Sequence, residues 1–231
     1  MTNPTRLTPL SDPENVLFEE VEERSGLTEA EAYALLAGAD MNTFGLPKIT
    51  VAAAEVHTGA MIALVPSDAD VKRLTVDGGE PQDQLHVTLV YLGEADDIST
   101  NARNKLVERL KNVLGGRGTV AGDGFAVSVF NPPGHTKEDG KDRDTCIVLG
   151  LSGRELEQIH TTVDSVARDV QDTSPGFGLP EQHVPWIPHL TLVYTDDIQR
   201  VVALADKTGP VTFDRVRLAF GGDVHDIPLV S

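Results

Sequence analysis

One hexapeptide occurs twice in this chain. His86-Val87-Thr88-Leu89-Val90-Tyr91 and His189-Leu190-Thr191-Leu192-Val193-Tyr194 agree at five of six positions, and the sixth is apolar in both. The copies start 103 residues apart, and each is followed by an acidic turn (Asp96-Asp97, Asp196-Asp197) and a helical pattern. Internal repetition over this distance predicts two related lobes. The Val, Thr and Tyr content marks both copies as strands. Alternation puts His86, Thr88 and Val90 on one face and Val87, Leu89 and Tyr91 on the other, with the same division in the second copy. On that count Tyr91 and Tyr194 are expected in the core. An imidazole beside a hydroxyl is costly in an apolar core, because both groups need partners. Lining a cleft between lobes satisfies them. Two such strands facing each other bring two imidazoles and two hydroxyls to one place. That set suits a phosphate, with hydroxyls donating to its oxygens while one histidine takes a proton and the other supplies one.

The charge balance limits what meets such a cleft. There are 19 basic and 36 acidic residues among 231, a net charge of −17 with a pI near 4.6. A duplex binder needs a cationic face, so duplex DNA is an unexpected partner. An anionic membrane surface is equally unexpected. Cys146 is the single cysteine, which excludes an internal disulfide and a cysteine-rich zinc site. No apolar run approaches the roughly 18 residues of a membrane span. The N-terminal run lacks the apolar stretch of a signal peptide. A soluble, intracellular chain is expected. Gly116-x-Gly118 follows a helical pattern instead of a strand and spells no dinucleotide fingerprint. The sequence has no P-loop, no Gly-x-Ser-x-Gly elbow and no His-Glu-x-x-His.

The acidity is unevenly spread. Ten acidic and three basic residues up to residue 56 account for −7. Residues 1–47 read as an acidic, partly helical extension. Pro13 behind Ser11 and Asp12 starts one short helix, and the Thr28–Glu31 capping pattern starts another that ends by Gly38. Residues 48–231 read as an α+β domain. Strands are expected at 49–54, 60–65, 86–92, 125–130, 145–151, 189–194 and 211–220. Helices are expected at 98–114, at 152–170 with Ser152 as its cap and Glu155 as its capping-box partner, and at 198–205. Polar loops span 131–144 and 171–188. The two lobes cover roughly residues 57–130 and 145–222.

Paired His-x-Thr motifs, each on a strand of a two-lobed α/β chain, resemble the 2H phosphoesterases, among them 2′-5′ RNA ligase-like proteins and cyclic phosphodiesterases. Gly59-Ala60-Met61-Ile62-Ala63-Leu64-Val65-Pro66 resembles that family's opening strand. Gln84 through Gly93 resembles its first motif, and Trp186-Ile187-Pro188-His189-Leu190-Thr191-Leu192 its second, including the proline before the histidine. The resemblance covers about residues 57–222 and departs from some relatives at Tyr194, where they carry a basic residue. It implies a pseudo-symmetric fold, with antiparallel sheets lining a central cleft and helices outside. It implies that His86 and His189 are the acid/base pair and that Thr88 and Thr191 bind phosphate. No metal and no cofactor are implied. The implied reaction is attack on a phosphodiester involving a ribose 2′ oxygen, in an RNA 2′,3′-cyclic phosphate, a 2′-5′ linkage or a small cyclic or linear oligonucleotide.

Around this core stand weaker candidates. Trp186 either stacks on a base or packs beneath the cleft, and His183 reaches toward the cleft from the same loop. His160-Thr161-Thr162 mimics the motif but sits in a helical pattern, where i and i+2 diverge. Lys137, Lys141 and Arg143 form a basic cluster interleaved with acids, expected to be a solvated loop. Asp96-Asp97 and Asp196-Asp197 are expected to be helix N-terminal acids. A second reading keeps the cleft as a nucleotide-binding module, or places the protein in a phage virion with residues 1–47 docking on a structural protein. The location is then the host cytoplasm or the virion.

Overall fold

The computed structural model describes residues 58–133 and 144–229. The extension at 1–47, the strand expected at 49–54 and the cations of the 131–144 loop lie outside the described residues. The elements run β1 (Gly59–Pro66), α1 (Asp68–Leu74), β2 (Val87–Glu94), α2 (Thr100–Leu114), β3 (Val120–Phe130), β4 (Cys146–Ser152), α3 (Arg154–Thr173), β5 (His189–Tyr194), α4 (Arg200–Ala203), β6 (Gly209–Phe220) and β7 (Asp223–Pro228).

All seven strands join one antiparallel sheet in the order β2-β1-β6-β3-β4-β5, with β7 added alongside β6. The sheet has two halves. One is β2-β1-β6-β7 and the other is β3-β4-β5. They are joined where residues 120–124 of β3 pair with residues 209–213 of β6. The expected α+β architecture with antiparallel strands therefore stands. The repeat's two strands, β2 and β5, are the ends of the strand path, and they approach each other without pairing.

Helices α2 and α3 cover one face of the sheet. Helix α2 buries Ala102, Leu106, Leu110 and Leu114, and α3 buries Leu156, Ile159, Val163, Ala167 and Val170. This is the three-and-four spacing of a helix with one apolar stripe. Full burial of a residue such as Leu156 or Ile159 is worth roughly 1.5–3 kcal/mol. Ser99 caps α2 by accepting from the Ala102 N–H. The expected Ser152 cap is not used. β4 continues through Ser152, which pairs with Asp123, so α3 begins two residues later behind Gly153 at φ 143°. Glu155 consequently turns away from a capping box and accepts from the Ala121 N–H at 2.8 Å, tying the helix start to β3. Helix α1 and strand β7 were not foreseen in the sequence. The helix expected at 198–205 shrinks to one turn followed by a 3-10 turn at Ala205–Lys207.

Candidate active site

Both repeat strands carry the same irregularity. In β2, Thr88 pairs with Ala63 and Val90 with Ile62, so Leu89 has no partner. In β5, Thr191 pairs with Val148 and Val193 with Ile147, so Leu192 has none. Leu89 and Leu192 are the fourth residue of their copies. A bulge inserts one residue and resets the face of everything after it. The burial pattern follows in both copies: His half-buried, second residue buried, Thr half-buried, Leu and Val both buried, Tyr half-buried. Tyr91 and Tyr194 therefore return to the His–Thr face instead of entering the core, contrary to strict alternation. The signal in the sequence was the doubled Leu-Val after each threonine. The Tyr194 hydroxyl is hydrogen-bonded to Thr191, whereas Tyr91 is bonded to Glu94.

The histidines are held by a matched pair of backbone contacts. His86 Nδ1 lies 2.5 Å from the Gln84 carbonyl oxygen, and His189 Nδ1 lies 2.9 Å from that of Ile187. Each acceptor is two residues upstream. A carbonyl only accepts, so Nδ1 carries the proton in both rings. That fixes the tautomer and leaves Nε2 as the unprotonated nitrogen of the neutral ring. Thr88 places its hydroxyl 3.8 Å from Met61 Sδ, a weak acceptor.

Each motif strand has an outer edge, and each edge is met by the segment that leads into the other motif. Trp186 donates from Nε1 to the Thr88 carbonyl at 3.0 Å. The Gln182 side chain accepts from the Tyr91 N–H at 3.1 Å and donates to the Tyr91 carbonyl at 2.8 Å. In return, the Glu80 N–H donates to the Leu192 carbonyl at 2.9 Å. These exchanges satisfy edge groups that would otherwise be open for pairing. Trp186 is also stacked on His160, with ring centroids 4.1 Å apart and planes within 3°. Hence His160 belongs to the packing beneath Trp186. Burial holds its pKa below the ordinary histidine value.

The surroundings of His189 set its acidity. Phe130 lies 5.0 Å from it, centroid to centroid. Burial pushes the pKa down to about 4, with the Ile187 carbonyl opposing and the neighbouring His86 and His183 adding to the fall. The structure thus brings His86 and His183 each within electrostatic range of His189. It brings Trp186 to the motif strand, with one ring face covered by His160. Asp197 accepts from the Gln199 N–H, as a turn-capping acid does. Among the described residues, no group of three or more His, Cys, Asp or Glu is arranged to hold a metal ion. None of the described helices is long and apolar enough to cross a membrane.

The model of the 2′-5′ RNA ligase superfamily matches residues 65–224, more than half of the chain. The chain belongs to this superfamily, a branch of the 2H phosphoesterases. By this membership it is a phosphoesterase. No curated protein matches the chain. Solved structures similar to it include TT0787 of Thermus thermophilus, at 13% identity and a TM-score of 0.47, covering 74% of this chain and 97% of that one. Usb1 of Kluyveromyces marxianus with uridine monophosphate is 13% identical at a TM-score of 0.44, covering 75% and 99%. LigT of E. coli complexed with 3′-AMP is 19% identical at 0.40, covering 74% and 95%.

Proposed function

We propose that this superfamily member is a metal-independent phosphodiesterase in which His189 is the general base and His86 the general acid. Thr88 and Thr191 donate to the non-bridging oxygens of the phosphate. The supporting observation is the matched Nδ1–carbonyl contact, which gives both rings the same tautomer and dedicates both Nε2 atoms to proton transfer. The roles follow from the surroundings. A histidine whose pKa is held near 4 is neutral at physiological pH and can accept a proton. Its Nε2 takes the proton of a water or of a ribose 2′-hydroxyl. The oxygen so activated bonds to phosphorus, the opposite P–O bond breaks, and the leaving oxygen receives a proton from Nε2 of protonated His86. Nδ1 keeps its proton on both rings throughout.

The substrate class we infer is an RNA terminus or small oligonucleotide: a 2′,3′-cyclic phosphate, a 2′-5′ linkage, or a short cyclic or linear oligonucleotide. Phosphate contacts made by hydroxyls and imidazoles need no lysine-rich surface, so the net charge of −17 is compatible with a ligand held a few nucleotides at a time. Trp186 and His183 are taken as the contacts to the nucleoside. The test is a panel of 2′,3′-cyclic nucleotides, 2′-5′ oligonucleotides and cyclic di- and trinucleotides incubated in EDTA. Turnover of one class that disappears in both His86→Ala and His189→Ala is the expected result. If nothing is turned over but a nucleotide still binds, the cleft is a binding module.

A further inference from the structure

We propose that Arg217, held by Asp226, is a positioning residue for His86, setting the imidazole through the turn that precedes the first motif. This inference rests on His86 being catalytic, as proposed above. The turn is the 3-10 segment Gln82–Gln84, whose last carbonyl fixes His86 Nδ1. The segment itself carries no buried side chain, and its apolar anchor is the buried Leu85 that follows it. Pro81, Gln82 and Asp83 are exposed and Gln84 is half-buried. Its equivalent before the second motif is held differently: Ile187 is buried, and the Pro188 carbonyl accepts from the Leu151 N–H at 2.9 Å.

The polar hold on the first turn comes from a side chain two strands away. Arg217 is on β6, with β1 lying between it and β2. Its register row runs Thr88, Ala63, Arg217, Asp226 across β2, β1, β6 and β7. All three guanidinium nitrogens are engaged. Nε and Nη2 donate to the two carboxylate oxygens of Asp226 at 2.8 and 2.9 Å. Nη1 donates to the Asp83 carbonyl at 2.8 Å. The bidentate pair fixes the plane of the guanidinium, so the third donor has one direction. That direction is the peptide immediately before Gln84. A chain of polar contacts thus leads from Asp226 through Arg217 to Asp83 and Gln84, and from Gln84 to the His86 ring. The Asp226 carboxyl is held below the usual carboxylate range, chiefly by its hydrogen bonds to Arg217, so the pair stays charged at working pH. Arg215, its neighbour, bonds Asp214 at 2.8 Å and approaches Asp68 and one Asp226 oxygen at 3.7 Å, so it shares the carboxylate but not the Asp83 carbonyl.

A lysine in this place keeps the charge but cannot pair with both Asp226 oxygens and still reach Asp83. Arg217→Lys and Arg217→Gln are therefore compared with Arg215→Gln, which removes the same charge from the same patch. The readouts are kcat and KM on the substrate found in the panel, and the ¹⁵N-edited NMR signal of the His86 Nδ1–H. In both Arg217 variants we expect kcat to fall about 10- to 100-fold, as for a slightly misplaced catalytic group. KM should stay within about threefold, the His86 signal should broaden or shift, and the His189 signal should not change. Asp226→Asn should repeat this in milder form. Arg215→Gln should leave kcat within about twofold and His86 unshifted. If Arg217→Lys folds and shows the wild-type kcat and His86 signal, the proposal is overturned. It is equally overturned if Arg215→Gln has the same effect as Arg217→Gln, since charge and not position is then responsible. Should Arg217→Gln fail to fold, Arg217→Lys and Asp226→Asn carry the test. The NMR readout needs no turnover, so it reports on this inference even where the proposed activity fails.

Discussion

The two halves of the sheet carry nearly the same hexapeptide with the same bulge, yet surround it differently. On the first half, Thr88 shares its row with Ala63 and Arg217, and Tyr91 shares its row with Met61 and Ala219. On the second half, His189 shares a row with Gly150 and Ala126, Thr191 with Val148 and Ser128, and Tyr194 with Cys146 and Phe130. One wall is charged and the other apolar and aromatic. The repeat specifies where the rings and hydroxyls stand. The neighbouring strands, which do not repeat, set the burial that lowers the His189 pKa. On the proposed reading, two closely similar motifs then divide acid and base work through their different surroundings.

The largest effect should come from breaking the pair itself. His86→Ala and His189→Ala should each lower kcat by about 10²–10⁴-fold, the usual worth of a positioned acid or base. Circular dichroism and Tm serve as fold controls. If one variant keeps turnover within tenfold of wild type, the halves are not chemical partners and the symmetric reading fails.

The tyrosines give a finer contrast. Tyr194 bonds Thr191, while Tyr91 bonds Glu94 and not Thr88. A hydrogen bond is worth about 0.5–1.5 kcal/mol net. Tyr194→Phe should therefore cost about 2- to 10-fold in kcat/KM, and Tyr91→Phe less. In a double-mutant cycle, Tyr194→Phe should add little once Thr191 is alanine. Full additivity would show that Tyr194 acts elsewhere than through Thr191.

Acidity should respond to the aromatic wall. The kcat/KM profile should be bell-shaped, with an acid limb near pH 4 set by His189 in the free enzyme and an alkaline limb set by the acid's loss of its proton. Phe130→Ala lets water closer to His189 and should move the acid limb upward, leaving the alkaline limb in place. A rate that climbs past pH 9 would contradict the paired-histidine mechanism.

Much of this was legible before any coordinates. The duplicated hexapeptide named His86, Thr88, His189 and Thr191, and the apolar runs named most strands and both long helices. Periodicity failed at Leu89 and Leu192. Two apolar residues in succession after each threonine hint at a bulge, but a bulge is a pairing property that only the partner strand establishes, so strict alternation puts the tyrosines on the wrong face. Ser152 was misread because a cap signal cannot show that the preceding strand continues through it. The Arg217 link was invisible for a similar reason. It joins residues 134 apart through a main-chain carbonyl, and a carbonyl leaves no mark in the sequence.

The smallest expected effect concerns stability. Burial holds His189 at about 4, against roughly 6.5 for an unfolded histidine. Between these values the unfolded chain takes up a proton that the folded chain refuses. The stability that neutral His189 allows is therefore complete above about pH 6.5 and declines as pH falls toward 4. The slope is at most about 1.4 kcal/mol per pH unit for one such group. Asp226 does not blur this window. Its pKa is depressed in the fold, so its contribution is lost only below the usual carboxylate range. His160 does contribute in the same sense, since burial lowers its pKa too. Urea denaturation of wild type, His160→Gln and His189→Gln between pH 7 and 4.5 separates the two. The His189 variant should show the flatter pH dependence, because its ring is the more strongly shifted. An unchanged slope in His189→Gln would mean that the aromatic wall does not hold the base neutral, and the division of labour between the halves would have to be sought on the charged side.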